Sequence, residues 1–198
     1  MSDLVAVPSL HEFFKQMLVE VIHHQKLELA EVTEFYLVNL LAEFAESENL
    51  FTQDEGGRKD HEPLALLYYR ALQEDRERKI KTLRRLGDVS LYKAGFFSSA
   101  LRDTTVGADY YIQMGGSAYA QVAQLAQPGA FAGMYRELHD KFRALVEVLE
   151  EIAARGMVSS GSSAALKVYE MWVRSGSDRL HRVLIDAGVI VPKSGLPN

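Results

Sequence analysis

Apolar residues recur along this chain with the 3.6-residue period of an α-helix, and period-two alternation is nearly absent. The most regular stretch lies between residues 130 and 154, where the apolar positions step alternately by four and three residues: Phe131, Tyr135, Leu138, Phe142, Leu145, Leu149 and Ile152. This spacing forms a heptad seam. Because the chain contains several other amphipathic stretches, we expect the seam to pack inside a helical bundle. The sequence therefore predicts an all-α fold with no sheet.

Capping and turn residues divide the chain of 198 residues into about eight predicted helices within a single helical domain, 1–198. The first helix is predicted to begin near Ser9. The following helices are predicted to cover 29–46, 63–86, 89–101, 106–126, 130–154, 164–174 and 178–187. Gly87 is predicted to end the third helix, and Asp88 to cap the fourth. Three segments are predicted to be non-helical: a loop at 52–61, a flexible link at 159–163 and a short C-terminal tail at 189–198.

Several classes of protein are excluded by what the sequence lacks. The chain has no Cys, which excludes thiol nucleophiles, Cys-ligated zinc and iron–sulfur clusters. No apolar run is long enough to span a bilayer, and the N-terminus does not resemble a secretory signal, so the expected location is cytoplasmic. The usual phosphate-binding and hydrolase motifs do not occur.

Nucleic-acid binding is also not expected. A short turn between the last two helices, together with Lys167, Arg174, Arg179 and Arg182, resembles a helix–turn–helix reader. However, the formal net charge of the whole chain is −5, and DNA-binding modules usually carry a stronger basic stripe.

A candidate metal site lies on the first predicted helix, where Glu20 and His23 form an E-x-x-H pair of the type that di-iron bundles use twice. Here the pair occurs once. At 100° per residue, His23 points away from the apolar stripe and into solvent, whereas His24 lies at the edge of the stripe. We therefore predict no metal site.

The segment 88–119 is the least generic part of the chain, because it concentrates aromatic residues and glycine and carries few charges. Two adjacent glycines inside a helical pattern cost about 1 kcal/mol each relative to alanine, which indicates either close helix packing or a ligand lying on bare backbone. The candidate binding residues are Tyr92, Phe96, Phe97, Arg102, Asp109, Tyr110, Tyr111, Gly115, Gly116 and Tyr119. Tyrosines supply apolar walls with polar tips, and Arg102 and Asp109 could orient a polar group.

A helix interrupted by Gly115-Gly116, in an all-helical chain of this length, resembles the haem-oxygenase-like bundles in architecture. In those proteins a glycine-rich helix lies over the cofactor. The resemblance implies an alternative function, that of an enzyme or cofactor carrier with a ligand over Gly115-Gly116. No family motif matches residue by residue.

The sequence favours a non-enzymatic binding or scaffold protein without a cofactor, because the unusual residues are aromatic residues and glycine rather than titratable groups. The 88–119 region is expected to engage a protein partner or a small apolar or aromatic ligand. A second copy of the chain, which would give a homodimer, is one candidate for the protein partner.

Overall fold

The computed structural model describes residues 9–51, 63–101 and 106–189. The predicted loop 52–61, the predicted tail beyond Val189 and Arg102 of the candidate site lie outside the described residues. The described residues form ten helices and no strand, so the all-α prediction is confirmed. The helices are α1 (Leu10–His24), α2 (Glu31–Phe51), α3 (Leu64–Gln73), α4 (Arg76–Phe96), α5 (Ser98–Leu101), α6 (Ala108–Leu125), α7 (Ala130–Asp140), α8 (Phe142–Ser159), α9 (Ser162–Ser175) and α10 (Asp178–Asp186).

The first helix begins as its sequence predicts. Ser9 caps α1 in a capping box, in which the Ser9 hydroxyl accepts from the Glu12 amide and the Glu12 carboxylate accepts from the Ser9 amide. The inner face of α1 buries Phe14, Leu18 and Val21. This face anchors the helix on the bundle.

The predicted helices 63–86 and 89–101 are wrong in their boundaries. Glu74 is extended, and Asp75 caps a new helix by accepting a hydrogen bond from the Arg78 amide at 3.1 Å. This helix, α4, continues through Gly87 and Asp88 to Phe96, so neither residue marks a helix end. A Cβ on Gly87 would collide with the Tyr119 ring, so glycine serves here for close packing.

The heptad stretch is interrupted once, although the sequence predicts a continuous helix over 130–154. Lys141, with φ −102°, separates α7 from α8, and the amide of Lys141 still donates to the Glu137 carbonyl. The seam residues from Tyr135 to Ile152 are buried, whereas Phe131 is 69% exposed. The seam therefore lies in the core from its second position onward.

The predicted link 159–163 is reduced to two residues. Ser159 belongs to α8, Ser160 caps its C-terminus, and Ser162 already begins α9. The N-cap of α9 is Gly161, at φ 121°, and not a serine. The chain therefore turns directly from α8 into the α9–α10 pair.

The described residues bury two hydrophobic clusters. The larger is formed by α1–α4 and α6–α8, and within it α4 packs most extensively against α6. The smaller lies between the end of α8 and the α9–α10 pair, around Val168, Trp172 and Leu184. α2 is not buried on every side, because Phe35 is 69% exposed.

Candidate functional site

The C-terminal end of α4 carries a chain of aromatic rings that runs from the core to the surface. Tyr92 is buried and stacks on Phe44 and Phe96, with ring centres 4.3 and 4.8 Å apart. Phe97 meets Tyr92 edge-on at 5.8 Å and is 41% exposed. Because the inner rings are held by the core, the outer rings are presented on a rigid support.

The first turn of α6 adds two more rings beside this chain. Tyr110 and Tyr111 are half-buried and perpendicular, with their centres 5.6 Å apart. The ammonium of Lys93 lies 5.9 Å from the centre of the Tyr111 ring, and burial lowers the pKa of Lys93. Because Lys93 lies one helical turn before Phe97, it connects the two groups of rings. We call Lys93, Phe96, Phe97, Tyr110 and Tyr111 the aromatic surface.

Asp109 lies at the edge of this surface rather than inside a pocket. Its carboxylate is exposed and pairs with Arg143 of α8 at 3.0 Å. Asp109 also occupies the first turn of α6, where a negative charge is favoured by the helix dipole. The pair joins α6 to α8 and leaves Asp109 on the rim.

The two glycines differ in their surroundings. A Cβ on Gly115 would collide with the Phe142 ring and lie 2.6 Å from Cβ of Ser90, so Gly115 allows α6 to approach α4 and α8. A Cβ on Gly116 would lie 3.7 Å from Nδ1 of His139, which is an ordinary contact. The Gly116 carbonyl lies 2.8 Å from the same nitrogen.

Tyr119 is separated from the aromatic surface because it is fully buried. Its hydroxyl donates to Oδ1 of Asp88 at 2.8 Å, and the Tyr36 hydroxyl donates to the same oxygen at 2.5 Å. Arg84 approaches the second oxygen of Asp88 at 3.6 Å. These contacts tie α2, α4 and α6 together inside the core.

Burial dominates the protonation of this cluster. It raises the pKa of Asp88, which the two tyrosine hydroxyls and Arg84 counteract. It also raises the pKa of Tyr36 and of Tyr119, and the nearby carboxylate of Asp88 adds to both shifts. The cluster therefore favours neutral tyrosines around a carboxyl group that is harder to ionise than usual.

This cluster was not predicted from the sequence, because the position of Asp88 after Gly87 is typical of a helix cap. The available signal was spacing, since Asp88 stands one turn before Leu91 and Tyr92 and one turn after Arg84. A single acid on the apolar face of a continuous helix indicates a buried carboxyl group.

Two of the candidate metal ligands, Glu20 and His24, contact other side chains. His23 is exposed, as predicted, whereas Nδ1 of His24 lies 3.0 Å from Oε1 of the buried Glu151. Arg155 donates to Glu151 at 2.8 Å and to Glu20 at 2.5 Å. Among residues 9–51, 63–101 and 106–189, no group of three or more potential metal ligands is found.

Comparison with protein families, with curated proteins and with solved structures finds no match to this chain. None of the helices in the described part of the chain combines the length and the apolar character needed to cross a bilayer.

Proposed function

We propose that this chain is a non-enzymatic helical binding protein that engages a protein partner through the aromatic surface. The observation that carries the proposal is the exposure of Phe97 at the end of a ring chain anchored on buried Tyr92. Aromatic residues held rigidly at a surface are typical of the energetic centres of protein interfaces, because they bury a large area with little loss of side-chain entropy.

The residues of the aromatic surface indicate which groups a partner must present to it. Lys93 is half-buried, so covering it costs less than covering a fully solvated lysine. A complementary partner presents apolar side chains to Phe97 and an acidic group to Lys93. Val106, two residues before the first residue of α6, is also exposed and adds apolar area there.

A protein partner is favoured over a small ligand because the aromatic surface stands at helix ends, and none of its residues lines the cleft of about 660 Å³. Small ligands prefer concave sites that bury most of their own surface. The alternative of a cofactor lying over Gly115-Gly116 requires Phe142 and Ser90 to move away from Gly115.

The experiment is site-specific photocrosslinking in the cells that produce the protein. A photoreactive phenylalanine analogue replaces Phe97, and the matched control places the same analogue at Phe35, which is more exposed but belongs to α2. We expect one recurrent protein adduct at position 97 that is absent at position 35.

Two results would count against this function. Identical adducts at both positions would indicate contact that depends on exposure alone. No adduct at position 97, with normal folding of the substituted protein, would mean that no protein covers the aromatic surface.

A further inference from the structure

A second candidate site lies where the α9–α10 pair meets the larger bundle, and Ser98, the neighbour of Phe97, is among its lining residues. The cleft of about 660 Å³ is bounded by the end of α1, by α8 and by residues of α9 and α10. It thus lies at the junction of the two hydrophobic clusters. Junctions of this kind are preferred ligand sites, and the volume is in the range that suits a small molecule.

One wall of the cleft presents an oriented imidazole. Glu151 has a fully buried side chain and holds Nδ1 of His24 at 3.0 Å, while the His24 side chain is 29% exposed and lines the cleft. Gln25 donates to the other carboxylate oxygen at 2.8 Å. A carboxylate that binds Nδ1 fixes the tautomer and leaves Nε2 as a hydrogen-bond acceptor.

The charged residues that line the cleft do not all neutralise one another. Arg179 pairs with Glu147 across the cleft. Lys26 and Arg182 line the cleft without an acidic partner within 4 Å in the described residues, and Asp178 lines it without a basic partner there. Glu150 also lines the cleft, and the groups that we consider available to a ligand are Lys26, Arg182, Asp178 and the imidazole of His24.

Lys26 also breaks a local rule at this position. Its φ is 54°, and no other non-glycine residue among those that the structure describes has a positive φ. The Lys26 amide donates to the His23 carbonyl and the Leu27 amide to the Ile22 carbonyl, which is a Schellman ending of α1. Glycine is the usual residue in this left-handed conformation, so a lysine here places a charge on the cleft at a conformational cost.

We infer that the cleft binds a small zwitterionic molecule of the size of a short peptide. Its anionic group pairs with Lys26 and Arg182, and its ammonium group donates to Asp178 and to Nε2 of His24. The site shares no residue with the aromatic surface, so the inference stands or falls independently of the proposed function.

The test measures the binding of three probes to the full chain by isothermal titration calorimetry. Trialanine carries both charges, N-acetyl-trialanine only the negative one, and trialanine amide only the positive one. We expect trialanine to bind at millimolar concentration or better, and at least about tenfold more tightly than either blocked form, because each blocked form loses a charge-assisted contact.

Variants locate the site. Lys26→Gln and Arg182→Gln should each weaken trialanine binding by about tenfold or more. Arg174→Gln, which removes an exposed arginine of α9 outside the cleft, should leave it unchanged. Unaltered melting temperatures would show that all three variants fold.

The inference is overturned if trialanine does not bind, or if the blocked forms bind as tightly as trialanine. It is also overturned if Arg174→Gln weakens binding as much as Arg182→Gln does, since binding would then reflect general surface charge.

Discussion

Glycine marks the points of closest helix approach in this molecule. On α4, a Cβ at Gly87 would enter the Tyr119 ring and a Cβ at Gly95 would collide with Leu149 of α8. On α6, Gly115 has the same role against Phe142. The sequence indicated that Gly115-Gly116 breaks a helical rule, but it could not distinguish close packing from ligand contact, because the neighbour across the interface is set by the tertiary fold.

The first prediction compares the two adjacent glycines of α6. Gly115→Ala should lower the free energy of unfolding by about 1–3 kcal/mol, because the added methyl group meets Ser90 and the Phe142 ring. Gly116→Ala should raise it by about 0.5–1 kcal/mol, because its Cβ has room and alanine is the better helix former. Urea denaturation of both variants checks the difference, and equal effects would contradict the packing described for Gly115.

The second prediction concerns the pH dependence of stability. The pKa of Asp88 is raised above its ordinary value of 3.8 by burial, so the folded protein binds this proton more tightly than the unfolded chain. The protonated carboxyl group of Asp88 therefore favours the folded state at low pH. This contribution to the free energy of unfolding is lost as pH rises from about 4 through the pKa of Asp88 in the folded state. Asp88→Asn removes this ionisation and keeps an acceptor for the Tyr36 and Tyr119 hydroxyls.

We therefore expect wild type to lose free energy of unfolding relative to Asp88→Asn as pH rises above 4, with a slope of at most about 1.4 kcal/mol per pH unit. Glu137 provides a control of opposite sign. Its pKa is lowered despite partial burial, because Lys141, Thr33 and the Ala30 amide donate to it. Wild type should gain stability relative to Glu137→Gln as pH rises. A pH-independent difference for Asp88→Asn would show that the carboxyl group ionises normally.

At the scale of the helix, the N-cap predicted at Ser9 is confirmed, because a cap depends on residues a few positions apart. The break at Lys141 and the continuation of α4 through Gly87 were not predicted, since both depend on packing against other helices. Glu77 and Lys81, whose (i, i+4) spacing favours an ion pair on a helix, form one at 3.0 Å on α4.

The third prediction tests the heptad seam. Leu145→Ala and Leu149→Ala should each lower the free energy of unfolding by about 2–5 kcal/mol, because both side chains are fully buried. Phe131→Ala, at the exposed first position of the same pattern, should change it by less than about 0.5 kcal/mol. Denaturant midpoints of the three variants measure this contrast. A small effect at Leu145 and Leu149 would place the seam on the surface.

At the scale of the whole molecule, the all-α class follows from the period of the apolar residues, whereas the division of the aromatic residues between core and surface does not. The sequence grouped Tyr92, Tyr119 and Phe97 in one site. The structure buries the first two and leaves Phe97 exposed. Periodicity shows which face of a helix is apolar. How much of that face is covered depends on the angles and distances at which neighbouring helices cross it, and these cannot be read from the residues of the helix itself.

Binding of a protein partner to the aromatic surface is tested most directly by the affinity of that partner for two matched variants. Phe97→Ser removes an exposed ring of the aromatic surface, and Phe35→Ser removes an even more exposed ring of α2. With the purified protein recovered by crosslinking at position 97, we predict that Phe97→Ser weakens binding by at least about tenfold and that Phe35→Ser leaves it unchanged. Equal affinities of wild type and Phe97→Ser for that protein would contradict the claim.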